Sequence, residues 1–364
     1  MAGIYISWPF CAQKCTYCNF ASGVQPKGLE SEYSAALAAE IAATDWALTP
    51  DTVYIGGGTP SAIPASDFGG LLEGIPGRPW AEATLEAAPG SLTPEKIAAW
   101  TGAGINRVSL GVQSFIRGEL ARTGRKHDAE TVRGDVAMLR AGGIANFNLD
   151  LIAGLPGQTA SSWRESLEAV VALDPPHVSV YMLEVDEDSR LGSEIILGGK
   201  RYGAFDVPSE DAVAGFYESA VAYLAGCGIE RYEISNFARP GAESLHNLKY
   251  WRREPYVGLG SDAHSFDGVK RWRNPEMAVD YVARWHRGGV GREEETAAEP
   301  VEEKFFVGLR LAEGVEANAS DWERFGDVFQ RFLESGILVR DGDRLRLSAR
   351  GVMVSNEVFQ EFVG

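Results

Sequence analysis

The sequence has no long apolar run, a deficit of basic residues and few cysteines, and each shortage argues against a class of protein. None of its 364 residues belongs to an uninterrupted apolar stretch of about 18, the length that a membrane helix needs. Lys and Arg number 34 against 51 Asp and Glu, and the net charge of −17 argues against a broad nucleic-acid or anionic-membrane surface. The N-terminal sequence MAGIYIS has no basic leader. We therefore expect a cytoplasmic protein without a nucleic-acid partner.

Three of the four cysteines lie close together, at Cys11, Cys15 and Cys18 in WPFCAQKCTYCNF. Clustered cysteines in the reducing cytosol favour a metal site over disulfides. The set is one ligand short of a closed zinc site, because no fourth cysteine or histidine follows nearby. Thiolates are the usual ligands of iron–sulfur clusters, and three of them on a [4Fe-4S] cluster leave one iron open. We predict such a cluster over the alternative of reduced, buried thiols, and we expect Cys227 to be a small buried apolar residue.

Short β-branched runs alternate with amphipathic segments, which is typical of strand–helix units around a parallel sheet. The predicted strands are residues 3–8, 52–56, 83–87, 107–112, 146–152 and 177–183. The predicted helices are residues 31–44, 66–74, 94–102, 129–141, 161–173 and 209–225. Six units predict an α/β fold with a partial (βα)6, TIM-like barrel, since the alternation breaks after residue 229.

Candidate site residues fall at the carboxyl ends of these strands, where parallel barrels bind ligands. The cysteines follow the first strand, GGGTPS at 56–61 follows the second, and Glu86, Gln113 and Asp150 belong to the next three. A glycine run can be an ordinary turn, and Glu86 could simply pair with a lysine. Their common position nevertheless favours a ligand site, because a carboxylate within an apolar run needs a polar partner.

The pattern changes again towards the C-terminus. We predict a barrel at 1–229, a barrel-associated region at 230–300 and a separate module at 301–364. Two helical segments there precede LVRDGDRLRLS, in which Asp341-Gly342 suits a hairpin turn. Helices with a small hairpin resemble a winged-helix module. Its twelve acidic and eight basic residues favour packing or a protein partner over DNA binding.

The cysteine spacing resembles that of the radical S-adenosylmethionine (SAM) superfamily, in which the open iron chelates SAM. The segments IYISWPFCAQKCTYCNF, GGGTPS, LEAAPGSL, RVSLGVQSF and NLDLIAGLPGQT closely resemble the coproporphyrinogen oxidase-like group, HemN/HemW. The resemblance implies a radical SAM barrel with a cluster on the three cysteines. It also implies SAM contacts at Tyr5, Tyr17, Gly57, Gly58, Thr59, Glu86, Gln113, Arg125 and Asp150. One departure is Ser7-Trp8, where the group commonly has His and an aliphatic residue.

Within that group, the sequence is more similar to the haem-chaperone branch, HemW, than to the oxidases. The oxidases extend the motif to a fourth cysteine, where this chain has Phe20, and carry an N-terminal extension before the first strand. A second likeness is HNLKYW, the H-N-x-x-Y-W motif linked in HemW to haem binding. Imidazole can ligate haem iron, and aromatic rings offer flat apolar faces to a porphyrin. The haem residues implied by the resemblance are His246, Asn247, Tyr250 and Trp251.

Side-chain chemistry alone favours a loop histidine at His246, packed by two aromatics, and only the resemblance favours haem; His264 in GLGSDAHSF has weaker support. The resemblance implies a haem chaperone that passes haem to acceptor haemoproteins, plausibly membrane respiratory enzymes. The alternatives are an oxygen-independent coproporphyrinogen III dehydrogenase, another radical SAM enzyme acting on haem, and a plain cluster or haem store. The oligomeric state stays open, with a homodimer as one option.

Overall fold

A twelve-stranded sheet organises the computed structural model, which describes residues 1–288 and 293–363. Its central six strands are parallel and adjacent in chain order. They are β1 (Ala2–Trp8), β2 (Pro50–Gly57), β3 (Glu82–Ala87), β4 (Arg107–Gln113), β5 (Asn146–Ala153) and β6 (His177–Met182). All six predicted strands are confirmed, with bounds that differ by one or two residues. The barrel is thus the predicted partial (βα)6 core.

Helices follow and connect the strands of this core. They are α1 (Leu29–Ala43), α2 (Ala65–Leu72), α3 (Pro94–Gly102), α4 (Arg117–Thr123), α5 (Ala129–Ala141), α6 (Ala160–Ala172), α7 (Arg190–Ile196) and α8 (Glu210–Gly226). Two further turns of 3-10 helix lie at Pro60–Ala62 and Arg201–Asp206. Helices α4 and α7 and the 3-10 turns were not predicted, because each is too short to repeat an apolar period. Cys227, expected to be buried, is half-buried at the end of α8.

Apolar runs explain the strands, and polar caps explain where several helices begin. Ile4, Ile6, Val53 and Ile55 are fully buried, as expected for a parallel sheet covered on both faces. Removing each such side chain from water stabilises the fold by about 1.5–3 kcal/mol. Helices α3, α5, α6 and α8 begin after Thr93, Asp128, Thr159 and Ser209, whose side-chain oxygens accept from backbone N–H groups of the first turn.

The segment after residue 229 joins the same sheet rather than forming a separate layer. Strands β7 (Glu230–Arg231) and β8 (Asn236–Ala238) extend it antiparallel beyond β6. After α9 (Leu245–Trp251), strand β9 (Tyr256–Leu259) pairs parallel with β1 on the opposite side. Strands β10 (His264–Phe266) and β11 (Lys270–Arg273), helix α10 (Ala278–His286) and strand β12 (Glu294–Ala297) follow. Residues 289–292, inside the predicted 230–300 region, lie outside the described part.

The last part of the chain combines helices with a small antiparallel sheet, β13–β15–β14 in order. Its elements are α11 (Pro300–Gly308), β13 (Val315–Glu316), α12 (Ala319–Glu334), β14 (Leu338–Asp341), β15 (Arg344–Leu347), α13 (Ala349–Met353) and α14 (Ser355–Gln360). The predicted hairpin is present, with Gly342 at its turn in the left-handed region at φ 58°. Phe305, Phe329 and Phe362 pack together as its core. Among the described residues, no helix combines the length and apolar character needed to cross a membrane.

Candidate functional site at the barrel mouth

A cavity of about 270 Å³ opens at the carboxyl ends of the first three strands. Tyr5 and Ser7 of β1, Gly57 of β2 and Glu86 of β3 line one part of it. The loop after the cysteines and the turn after β9 complete the wall. Its remaining lining residues are Pro9, Phe20, Ala21, Ser22, Ser261 and Asp262. Three predicted SAM residues, Tyr5, Gly57 and Glu86, therefore share one cavity in the place where parallel barrels bind ligands.

The glycine segment after β2 holds the start of the cysteine loop. The N–H groups of Gly58 and Thr59 donate to the carbonyls of Trp8 and Phe10, at 2.7 and 2.9 Å. A Cβ at Gly58 would lie 2.6 Å from the Phe10 carbonyl oxygen, so only glycine allows this approach. Glycine is thus required at position 58 of the GGGTPS segment, because the backbone of Phe10 lies against it.

Glu86 is the buried acid of the cavity. Its Oε1 accepts from the Tyr54 hydroxyl at 2.9 Å, and its Oε2 accepts from the Gly57 N–H at 3.1 Å. Burial raises the pKa of Glu86, the negative charge of Asp150 raises it further, and the value reaches about 7 despite the two hydrogen bonds. Glu86 can therefore change protonation state near neutral pH.

Asp150 belongs to a polar network inside the barrel, near Glu86. Its Oδ1 accepts from the Asn148 amide at 2.6 Å, and its Oδ2 accepts from the Ser109 hydroxyl at 3.2 Å. Burial raises the pKa of Asp150, while its hydrogen bonds to Ser179, Asn148 and Ser109 oppose that shift. Glu86 and Asp150, both predicted as site residues, are thus close enough for the charge of Asp150 to act on Glu86.

Gln113 ends β4 in a strained conformation. Its φ is 68°, in the left-handed region that disfavours residues other than glycine, and the pairing with β5 shifts register just before it. The side chain is 7 % exposed and lies 3.1 Å from where a Cβ at Gly111 would stand. Backbone strain of this kind is found preferentially at ligand sites, where the surrounding structure holds the residue in place.

The cysteine loop lies beside a second cavity, of about 470 Å³, lined by Cys15 and Cys18 together with Lys14, Val24, Asp188 and Arg190. All three cysteines of the motif are free thiols, half-buried. Arg125 bonds both Tyr17 and Cys15 through its guanidinium, and its Nε is buried without a partner. Burial raises the pKa of the Cys18 thiol. The structure therefore brings Tyr17 and Arg125 to the cysteines, as a group adjoining Gln113.

This donor set fits a cluster. Within residues 1–288 and 293–363, no three histidine, cysteine or carboxylate side chains converge closely enough to hold a single metal ion. Three thiols on one loop, next to open volume and a fixed guanidinium, suit a larger group in which each thiolate binds a different iron.

The predicted haem motif lies elsewhere, at the amino end of the barrel. Helix α9 begins there because the Glu82 carboxylate, at the start of β3, accepts from the Ser244 hydroxyl and the His246 N–H, each at 3.0 Å. His246 is 1 % exposed. Its Nδ1 pairs with the Thr52 hydroxyl at 2.9 Å and its Nε2 with the Tyr250 hydroxyl at 2.8 Å. Burial, with the charges of Lys249 and Arg107, lowers the pKa of His246 to about 3.

The motif therefore closes the lower end of the barrel in this structure. The His246 ring stacks beneath Tyr54, with centroids 5.4 Å apart, and neither ring nitrogen is free to bind iron. The Arg310 guanidinium lies 4.5 Å from the ring centroid of Trp251. Asn247 contributes a backbone N–H to the Ser244 cap. The four predicted haem residues do not line the mouth cavity, and Tyr54, which stacks on His246 and bonds Glu86, lies between the two groups.

Sequence reasoning missed Tyr54, Ser261 and Asp262. Tyr54 was hidden inside a strand, although alternation along β2 places it on the same side as Thr52 and Gly56. For Ser261 and Asp262 the available signal was the GLGSDAHSF segment, a short apolar run followed by polar turn residues, as at the other strand ends.

Two family models match parts of this chain. Residues 5–170 match the radical SAM superfamily, and residues 296–354 match the HemN C-terminal domain. Heme chaperone HemW of Lactococcus lactis is 32% identical over 99% of this chain and 96% of that protein. Heme chaperone HemW of Bacillus subtilis is 34% identical over 100% of both chains.

A solved structure supports the fold. Coproporphyrinogen III oxidase (HemN) from Escherichia coli, a radical SAM enzyme, superposes with a TM-score of 0.83 over 99% of this chain and 89% of that chain, at 21% identity. The chain therefore belongs to the HemW heme-chaperone family, within the radical SAM superfamily.

Proposed function

We propose that this protein binds a [4Fe-4S] cluster through Cys11, Cys15 and Cys18, binds SAM at the barrel mouth, and carries haem for delivery to acceptor haemoproteins. The observation that supports the first two steps is the meeting of three free thiols, Arg125 and the cavity of Tyr5, Gly57 and Glu86 at one end of the barrel. Family membership supports the haem step.

Each group at the mouth has a binding role in this proposal. A cluster with SAM supplies one-electron reductive chemistry when both are bound. Glu86 and Asp150 accept hydrogen bonds from ligand hydroxyl or amino groups, exchanging some of their present partners for those of the ligand. Tyr5 and Tyr54, with ring centroids 6.2 Å apart, form an apolar face beside Glu86. Phe20, which is 68 % exposed at the rim, shields the cavity from water when a ligand orders it.

Anaerobic reconstitution with iron and sulfide tests the cluster. We expect about four iron atoms per chain and the electron paramagnetic resonance (EPR) spectrum of a reduced [4Fe-4S] cluster that changes when SAM is added, because one iron lacks a protein ligand. Cys15→Ser should abolish the signal. Cys227→Ser is the matched control, since Cys227 lies at the end of α8, and it should leave the signal intact. A signal that survives Cys15→Ser would overturn the assignment.

Accessibility makes His264 the better candidate for a haem ligand. His127, His177 and His246 are each 9 % exposed or less, and each has a hydrogen-bond partner on the ring. His264 is exposed at the start of β10, next to the mouth. His286, also exposed, lies at the end of α10. We propose that haem iron binds at His264, whereas ligation by His246 requires α9 to leave the barrel.

Haemin titration, followed by the Soret band, separates the two histidines. We expect the band of the bound form to be lost or displaced in His264→Ala and retained in His246→Ala, with circular dichroism confirming that both variants are folded. The reverse result would restore His246 as the iron ligand and show that α9 opens. Binding that is unchanged in both variants would remove both residues, and no binding by the wild type would refute the haem proposal.

A further inference from the structure

The turn between β9 and β10 is rigidly attached to the barrel mouth. The Gly260 N–H donates to Glu40 Oε2 at 2.7 Å, and the Ser261 N–H donates to the Tyr33 hydroxyl at 2.8 Å. That hydroxyl donates in turn to the Ser7 carbonyl at 2.8 Å, which ties the turn to β1. The Asp262 N–H donates to the Pro275 carbonyl at 2.9 Å. Asp262 is therefore placed by a network that reaches α1, β1 and the segment before α10.

Asp262 adopts a left-handed backbone conformation, with φ 56°. Residues other than glycine are uncommon there, although Asp and Asn tolerate it better than most. A glycine would relieve the turn at no steric cost. The turn itself therefore does not require a side chain at position 262, and the backbone alone does not explain why an aspartate lies there.

The surroundings of this carboxylate define what it can recognise. It lines the same cavity as Tyr5, Ser7 and Glu86. No Lys, Arg or His is among the described residues that line the cavity, although the charges of His264 and Arg273 act on Asp262 from outside the lining. Among the described residues, no group donates a hydrogen bond to the Asp262 side chain. A pre-positioned carboxylate of this kind favours a positively charged ligand and disfavours an anionic one.

We propose that Asp262 is a specificity-determining residue of the mouth cavity, whose carboxylate selects a ligand that carries a positive charge over an otherwise identical neutral ligand. This rests on the proposed binding of SAM. The sulfonium of SAM is positively charged, whereas S-adenosylhomocysteine has a neutral thioether in its place. Asp262 thereby favours retention of the uncleaved sulfonium over a neutral demethylated analogue.

Binding of these two compounds to the cluster-loaded protein, measured by equilibrium dialysis, tests the proposal. Asp262→Asn removes the charge while Asn keeps the left-handed turn, so the fold is preserved. We expect the affinity for SAM to fall about tenfold in this variant, and the affinity for S-adenosylhomocysteine to change less than about twofold, since only SAM carries the charge. Sinefungin, which has an amine in place of the sulfonium, should behave like SAM.

Asp280→Asn is the matched control, because it removes an exposed carboxylate in the first turn of α10, outside the cavity lining. It should leave the preference for SAM unchanged. An equal preference for SAM in wild type and Asp262→Asn would overturn the inference while leaving SAM binding intact. A wild type that binds neither compound, despite a normal cluster spectrum, would instead overturn the proposed SAM site and the inference that rests on it. The cluster spectrum of each variant distinguishes a lost cluster from a lost ligand contact.

Discussion

Replacing Glu86 with Gln should change how the stability of the chain depends on pH. Burial and the charge of Asp150 raise the pKa of Glu86 from 4.5 to about 7 in the folded protein. At pH 5 the folded state keeps the proton and the unfolded state has largely lost it. Folded protein must release this proton as the pH rises towards 8, whereas the unfolded chain has none left to release. The wild type therefore loses stability over this range.

The two pKa values set the size of the effect. Integrating the difference in bound protons between pH 5 and pH 8 gives roughly 2–3 kcal/mol of stability lost through Glu86 alone. Glu86→Gln removes this titration, so its free energy of unfolding should decline by that much less over the same range. The amide also loses one acceptor for Tyr54 or Gly57, which lowers stability by about 1 kcal/mol at both pH values.

Urea unfolding of the cluster-free chain at pH 5 and pH 8, followed by far-UV circular dichroism, measures this difference. Glu73→Gln removes an exposed carboxyl at the end of α2 and serves as the control. The same pH dependence in wild type and Glu86→Gln would refute the reasoning, because it would mean that Glu86 ionises in the folded protein as it does in the unfolded chain.

Two further predictions concern the supports of the barrel ends. The Lys96 ammonium joins the loops after β2 and β3 by donating to the carbonyls of Ser61 at 2.6 Å and Ser91 at 3.1 Å. Lys96→Met should therefore destabilise the fold by about 1–3 kcal/mol in urea unfolding, and it should also weaken SAM binding. Unchanged SAM affinity would mean that Lys96 contributes only to the stability of the fold. Tyr250→Phe should lower the free energy of unfolding by about 1–3 kcal/mol, because it leaves the buried His246 Nε2 without its partner. An unchanged midpoint of urea unfolding would contradict the hydrogen bonding described at the amino end of the barrel.

The sequence was sufficient to predict the six central strands because each is a buried apolar run between turn signals. Strand β9 escaped prediction because its four residues, YVGL, carry no period long enough to identify, and its pairing with β1 is a contact between distant parts of the chain. The local pattern of apolar residues predicts that a strand is present, whereas the strand with which it pairs depends on the whole fold. The predicted units 1–229, 230–300 and 301–364 stay a prediction.

The candidate site was predictable to a different degree at each end of the barrel. Strand-end positions led to Glu86 and Asp150, because parallel strands end at one edge. Strain at Gln113 and Asp262 has no signature in residue type, since it depends on the bonds that hold the backbone. The resemblance of HNLKYW to the HemW motif indicated that His246 could bind iron. Whether its nitrogens are free depends on Thr52 and Tyr250, which only tertiary packing brings to it.

The position of β1 between β2 and β9 has a consequence for how the protein is made. Strand β1 ends at Trp8, whereas its second neighbour, β9, runs from Tyr256 to Leu259, so β1 leaves the ribosome long before β9 does. At about 5–20 residues per second, roughly 10 to 50 seconds pass before that edge is covered. During this interval the strand that carries the cysteine loop presents unpaired N–H and C=O groups on one side. Stable cluster insertion should therefore follow synthesis of the β9 segment rather than accompany the emergence of the cysteines.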